Sequence, residues 1–150
     1  MKISYTVDIN NKPAEVFLWL NNPERAQVWM SSVSKTEILH KTSDMVGTTF
    51  REIVEEDGRW TELHGVVTDY RPNRLISFHL SGKFNVVDEE YRLEEIENRT
   101  RLTQNANIRF KSFMKVLSLL TGPMFKKKIM DQVQKEFATL KELCECGASS

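Results

Sequence analysis

The stretch FREIVEEDGRWTELHG, residues 50–65, decides the fold because it has the pattern of a β-hairpin. Asp57-Gly58 is a dipeptide typical of a two-residue turn, and polar and apolar residues alternate on both sides of it. A two-residue loop fixes which residues lie opposite each other, so Glu52 is predicted to lie opposite Leu63. Residues that lie opposite share one face of a sheet. We therefore expect a mostly apolar face that also carries Glu52.

Strand-like segments of this kind continue from about residue 32 to residue 111, separated by turn signals. Further turns are predicted at Gly82-Lys83 and at Asn98-Arg99, which favours an antiparallel meander. The resulting registers leave a few polar residues on the apolar face. These are Glu52, Asn85, Glu89 and Gln104.

A buried carboxylate without a partner costs several kcal/mol, so each acid on that face must be paired, hydrated or moved by a bulge. Gly65 lies opposite Phe50 in the predicted register and leaves space near Glu52. Burial there would raise the pKa of the Glu52 carboxyl.

The two ends of the chain complete an α+β domain. Residues 3–9 alternate as a half-buried strand, and Pro13 and Asn22-Pro23 begin two short helices. Beyond Lys111 the apolar period changes to 3.6 residues, which predicts a long helix, kinked or restarted at Gly122-Pro123. This helix is the element long enough to cover the apolar face of the sheet. Its apolar stripe consists of Ile129, Val133, Phe137, Leu140 and Cys144.

Composition predicts one globular domain over residues 1–146, followed by a disordered tail at 147–150. A chain of 150 residues with 40% apolar content can bury one core without disulfides.

The charges of the 21 basic and 21 acidic residues cancel, which argues against nucleic acid as a partner. The acids gather on strands and turns and the lysines on the closing helix. The sequence shows neither a signal-peptide core nor the roughly 20 apolar residues of a membrane span, so we expect a cytoplasmic location.

Motifs for catalysis or metal binding are weak. The three histidines, His40, His64 and His79, stand in no metal-binding spacing, and the sequence has no phosphate-binding or nucleophile motif. Cys144 and Cys146 lie close together at the end of the closing helix, where an apolar stripe explains the first of them. We expect no metal and no cofactor.

One segment of the sequence is a candidate for contact with a membrane surface. Between Lys111 and Met130 the chain has five lysines and no acidic residue, beside the apolar run at 116–120. Such a segment can contact an anionic membrane weakly, although a solvated helix face explains the lysines and burial under the sheet explains the run.

The order of elements and several local sequences resemble the START-like, or SRPBCC helix-grip, superfamily, in its polyketide cyclase/dehydrase and lipid-transport-like branch. The resemblance extends from Tyr5 to about Glu142. It rests on PAEVF at 13–17, NPE at 22–24 with Trp29, VGTTF at 46–50, VTDYRP at 67–72, YRL at 91–93, TRL at 100–102 and the closing helix that ends in Leu140-Lys141.

This resemblance implies a seven-stranded, curved antiparallel sheet wrapped around the C-terminal helix, with a deep apolar cavity between them. It implies a carrier or sensor of a hydrophobic small molecule such as a lipid, an isoprenoid or a polyketide. Trp29 would lie at one end of the cavity, and Met124 and Phe125 on the covering helix. Together with the inward strand positions, the predicted ligand-binding residues are Trp29, Phe50, Glu52, Leu63, Phe78, Tyr91, Gln104, Ile108, Met124 and Phe125.

Two other functions stay open. A cyclase or dehydratase could use Glu52 as a general acid or base, although no catalytic residue of the family can be matched to Glu52 or Gln104. A stress-related or chaperone-cofactor module would instead use the outer sheet face around Trp60 and His64. A cavity of roughly several hundred Å³ would favour ligand binding, and a filled interior would favour the interaction module.

Overall fold

The computed structural model describes residues 1–56 and 58–148, and the side chains of these residues except 56, 112–121 and 147–148. Seven strands form one antiparallel sheet in the order β1-β7-β6-β5-β4-β3-β2, which confirms the predicted sheet. In chain order the elements are β1 (Lys2–Ile9), α1 (Pro13–Leu20), a 3-10 turn (Pro23–Arg25), α2 (Ala26–Trp29), β2 (Val33–His40), β3 (Thr49–Glu56), β4 (Arg59–Arg71), β5 (Leu75–Ser81), β6 (Asn85–Ile96), β7 (Arg99–Phe110) and α3 (Ser112–Ala148).

The β3–β4 hairpin has the predicted register. Glu52 lies opposite Leu63, and Phe50 lies opposite Gly65. Gly58 has a φ of +76°, a left-handed conformation that glycine adopts without steric cost. A bulge in β4 then brings Tyr70 onto the inner face, where its ring lies 5.5 Å from that of Phe17.

The other two predicted turns were wrong in position. Ser81 pairs with Val86, so four residues separate this pair instead of Gly82-Lys83 alone, and residues 82–84 lie between the two strands. Ile96 pairs with Arg99, so the β6–β7 turn is Glu97-Asn98, whose residues both have positive φ. Each correction shifts the register by two residues. Because side chains alternate with a period of two, the predicted faces of the strands are unchanged.

The long helix α3 covers the inner face of the sheet. It runs through Pro123 as one element, and its side chains are buried at Phe137, Leu140 and Cys144. The Phe137 ring lies 5.4 Å from that of Tyr5, which fixes the helix to β1. The helix continues to Ala148, two residues into the segment predicted as a tail, and residues 149–150 lie outside the described part.

Candidate ligand site

A small interior cavity lies between α1, α2 and the inner face of the sheet. The described residues around it enclose about 30 Å³, where several hundred would have been needed for a ready-made ligand cavity. A space of this size holds about one water molecule. It is lined by Trp19, Leu20, Asn22, Pro23, Ala26, Trp29, Met30, Phe50, Glu52, Phe78, Leu80, Glu89 and Tyr91.

Aromatic rings supply much of this interior. The Trp29 ring lies 6.2 Å from that of Tyr91, and the Phe78 ring lies 6.3 Å from that of Tyr91. Phe50 and Phe78 meet edge to face at 5.5 Å. Such tilted contacts are favourable for ring quadrupoles and hold the side chains in defined positions.

Glu52 is the acid on the wall of the cavity. It extends from β3, is 9% exposed, and lies opposite Thr36 on one side and Leu63 on the other. Among the side chains that the structure describes, none donates a hydrogen bond to its carboxyl. Burial, together with repulsion from Glu89 and Glu136, raises the pKa of Glu52 from 4.5 to about 7.

Glu89, by contrast, is held by two donors. The Tyr91 hydroxyl donates a hydrogen bond of 2.5 Å to Glu89 Oε1, and Gln104 Nε2 donates to the same oxygen. Tyr91 lies two residues along the same strand, and Gln104 lies opposite Tyr91 on β7, so the sheet register assembles this network. Burial raises the pKa of Glu89, while the two hydrogen bonds oppose that shift.

Glu136 adds a third carboxyl from α3. Its Oε1 accepts hydrogen bonds from the backbone and the hydroxyl of Ser31, both at 3.1 Å, and from Gln132 Nε2 at 3.0 Å. Burial raises the pKa of Glu136 against these bonds. Our sequence analysis missed this residue, although its spacing from Val133 and Leu140 places it on the buried stripe of the helix.

Thr36 is a further polar residue that the sequence analysis missed. It is 5% exposed and lies directly opposite Glu52 on β2. Its Oγ1 has no hydrogen-bond partner within the described part of the chain. Buried polar atoms are almost always satisfied, so the Thr36 hydroxyl, which lies directly opposite Glu52, is an exception to that rule.

The predicted site residues separate into two groups. Trp29, Phe50, Glu52, Phe78 and Tyr91 line the cavity, and Gln104 joins it through Glu89. The remaining predicted residues do not line it. Leu63 lies under Gly82, Ile108 is buried in the core, Phe125 packs on Phe110 with ring centroids 5.4 Å apart, and Met124 is 79% exposed.

The outer face of the sheet has a different character. Its histidines lie beside acids, with His64 Nε2 3.7 Å from Glu62 and His79 Nδ1 2.6 Å from Asp88. No three His, Cys, Asp or Glu side chains of the described residues are arranged to hold a metal ion. In the described part of the chain, no helix is long and apolar enough to cross a membrane.

Comparison with known proteins agrees with this architecture. Residues 1–145 match the family model described as polyketide cyclase / dehydrase and lipid transport. The chain belongs to this family. No curated protein matches the sequence significantly.

Solved structures of this family's fold resemble the chain over nearly its whole length. A protein from Thermus thermophilus has a TM-score of 0.83 at 14% identity and covers 100% of both chains. A START superfamily protein from Mycobacterium smegmatis has a TM-score of 0.81 at 18% identity, covering 96% of this chain and 97% of its own. The Zhui aromatase/cyclase from Streptomyces sp. R1128 has a TM-score of 0.79 at 16% identity, covering 97% and 93%. At these identities the likeness establishes the helix-grip fold alone.

Proposed function

We propose that the protein binds a hydrophobic small molecule, as a carrier or a sensor, in the interior between the sheet and the helices that cover it. The observation that carries the proposal is the Glu52 carboxyl, which is buried in an aromatic interior and has no hydrogen-bond donor among the described side chains. An apolar residue at this position would stabilise the core more than a buried carboxylate does. A ligand that brings a polar group to this point accounts for the acid.

Affinity would come from apolar burial, at about 25 cal/mol per Å² before the costs of ordering. Lipids, isoprenoids and polyketides all supply such surface. The 30 Å³ cavity must widen to admit them, and the rim formed by Trp19, Asn22 and Met30 on the short helices is where we expect this movement.

Thermal-shift and native mass-spectrometry measurements on delipidated protein test the proposal. Panels of fatty acids and phospholipids, isoprenoid alcohols and aromatic polyketides should contain at least one compound that raises the melting temperature and is retained as a complex. Trp29→Phe should weaken that complex, and Met124→Ala, at an exposed position, should not. The absence of any shift or co-purifying ligand would contradict the proposal.

A cyclase or dehydratase activity is the second candidate. It is favoured by the pKa of Glu52, about 7, because a carboxyl that titrates near neutrality can both give and take a proton. A poly-β-ketone mimic would be incubated with the protein, with Glu52→Gln and with Glu94→Gln, which changes an exposed acid of β6. Loss of cyclised product in the first variant alone supports the activity, and an unchanged product profile in Glu52→Gln excludes this role for Glu52.

We also propose weak contact with an anionic membrane through the exposed side of α3. Met124 is 79% exposed and is followed by the exposed Lys126 and Lys127. A lysine close to an anionic surface contributes about 1 kcal/mol. Binding to phosphatidylserine vesicles in a sedimentation assay should exceed binding to phosphatidylcholine vesicles. It should fall with Lys126→Glu and Lys127→Glu, and persist with Lys35→Glu on β2 at the sheet edge.

A stress-related or chaperone-cofactor module is a third candidate, supported by the small size of the interior cavity, about 30 Å³, and by the 62% exposure of Trp60 on the β3–β4 hairpin. Pull-down from stressed cells with the wild type and with Trp60→Ala tests it. A partner retained by the wild type and lost by the variant supports the module.

A further inference from the structure

We infer that the interior site selects a hydrophobic amine, whose ammonium group binds beside the Glu52 carboxyl and the Thr36 hydroxyl. This inference rests on the proposed ligand binding and specifies the chemical class of the ligand. It follows from the charges, the polar groups without partners and the aromatic walls that lie at the cavity or directly beside it.

The charges at the site have one sign. Glu52, Glu89 and Glu136 come from β3, β6 and α3, and they act on one another closely enough to oppose ionisation. Within the described part of the chain, no lysine, arginine or histidine lines the cavity. A cation bound here would favour ionisation of the neighbouring carboxyls and would be attracted by the charge that they then carry.

The hydrogen bonds show where that cation would bind. Glu89 already accepts from Tyr91 and Gln104, and Glu136 already accepts from Ser31 and Gln132. Glu52 has no donor among the described side chains. Of the three carboxyls, it is the one whose two oxygens accept no hydrogen bond within the described part of the chain, and it lines the cavity.

Thr36 supplies a second, independent observation. Its hydroxyl oxygen is buried without a partner among the described residues, and the residue lies directly opposite Glu52 in the β2–β3 pairing. Opposed residues of an antiparallel pair have Cβ atoms roughly 5 Å apart, so one small group can reach both side chains. A primary ammonium has three N–H donors, which suits two neighbouring acceptors.

The walls and the size of the space fit the same group. Trp29, Phe78 and Tyr91 surround it with aromatic rings, which attract cations through their faces. The free volume of about 30 Å³ holds one water molecule, and an ammonium group is of similar size. The apolar body of the amine would then displace the rim of the cavity.

Other head groups fit less well. A hydroxyl can donate one hydrogen bond to Glu52, but it leaves the negative charge of the cluster uncompensated. A carboxylate adds a further negative charge beside the three acids. We therefore expect the affinity order amine, alcohol, carboxylate for ligands that share one apolar body.

Two matched series of probes test this order by titration calorimetry at pH 7.5. One consists of tryptamine, tryptophol and indole-3-propionate, and the other of decylamine, decanol and decanoate. In the series that fits the cavity, the amine should bind about tenfold or more tighter than the alcohol, since the ammonium adds a charge–charge attraction to the hydrogen bond that both head groups can donate. Binding of the carboxylate should be the weakest.

Two variants test whether the preference for the amine depends on Glu52. Glu52→Gln keeps the shape of the side chain and should remove the preference for the amine while alcohol binding is retained. Glu94→Gln should keep the preference, because that acid is exposed on β6.

The outcomes separate the inference from the proposed function. Alcohols that bind as tightly as amines, carboxylates that bind best, or an amine preference that survives in Glu52→Gln would overturn the inference and leave ligand binding supported. Failure of every probe, together with a negative ligand panel, would contradict both.

Discussion

The two faces of the sheet use the same residue types in opposite ways. On the outer face acids are paired with arginine, as where Arg51 contacts Glu37 at 3.0 Å and Glu62 at 3.2 Å. On the inner face Glu52 lies among aromatic rings and two other carboxyls, and no described cation faces it. The outer pairs are accessible to water, whereas the inner acid is 9% exposed.

This difference shows that environment, and not residue type, determines what a glutamate contributes. An exposed pair in water gains little because solvent screens it. A buried, unpaired carboxylate lowers stability whenever it ionises, because it loses its hydration without gaining a partner. Four predictions test how far the two faces differ.

The largest effect is expected for Glu52→Gln at alkaline pH. The carboxyl titrates near 4.5 in the unfolded chain and at about 7 in the folded protein, so the folded state holds the extra proton between these values. The stability of the wild type therefore falls as the pH rises from 4.5 to 7. Glutamine carries no such proton, and the variant should be more stable than the wild type by up to about 3 kcal/mol at pH 8.

Urea unfolding from pH 4 to pH 8 measures this effect. The two proteins should be close in stability at pH 4, where Glu52 is protonated in both states, and should separate above pH 5. Glu94→Gln serves as the exposed control and should follow the wild type. An identical pH profile for Glu52→Gln and the wild type would mean that the inner acid behaves like the outer ones.

The second prediction concerns how tightly the inner face is packed. A Cβ at Gly65 would come within 2.2 Å of the Phe50 ring, which is buried and cannot move freely, so Gly65→Ala should cost about 2 kcal/mol. Gly82→Ala meets the flexible end of Leu63 and should cost less than about 1 kcal/mol. Equal losses for the two variants in urea unfolding would show that Phe50 has room to shift.

Sequence reasoning found the inner face because alternation survives errors of two residues. The β5–β6 and β6–β7 turns were both misplaced, yet Glu89, Tyr91 and Gln104 still lie on the predicted side. The loop predicted at Asp57-Gly58 places Glu52 opposite Leu63, and the structure has the same pair. Period-two patterns therefore predict which side chains point inward.

The same reasoning could not give the partners of these side chains or the volume of the cavity. Those depend on how α3 and the short helices pack against the sheet, which local patterns do not contain. Glu136 contacts Ser31 across 105 residues of chain, and Met124, which was predicted as a ligand-binding residue on the covering helix, is 79% exposed. Thr36 was not noticed because an unsatisfied hydroxyl is a property of packing.

The third prediction removes the donor that distinguishes Glu89 from Glu52. Tyr91→Phe keeps the ring but deletes the hydroxyl that donates to Glu89. Because the buried Glu89 carboxyl would lose one of its two donors, we expect a loss of about 1.5 kcal/mol in urea unfolding. Thr6→Val, which breaks a 3.0 Å contact with Thr103 on the outer face, should change stability much less.

The smallest effect is expected on the outer face itself. Arg51→Met breaks the contacts with Glu37 and Glu62 but keeps most of the apolar stem, so the loss should stay below about 1 kcal/mol and should disappear in 1 M salt. Urea unfolding at low and high salt gives the measurement. A larger, salt-independent loss would show that the outer pairs also stabilise the sheet, and the contrast between the faces would then reside in Glu52 alone.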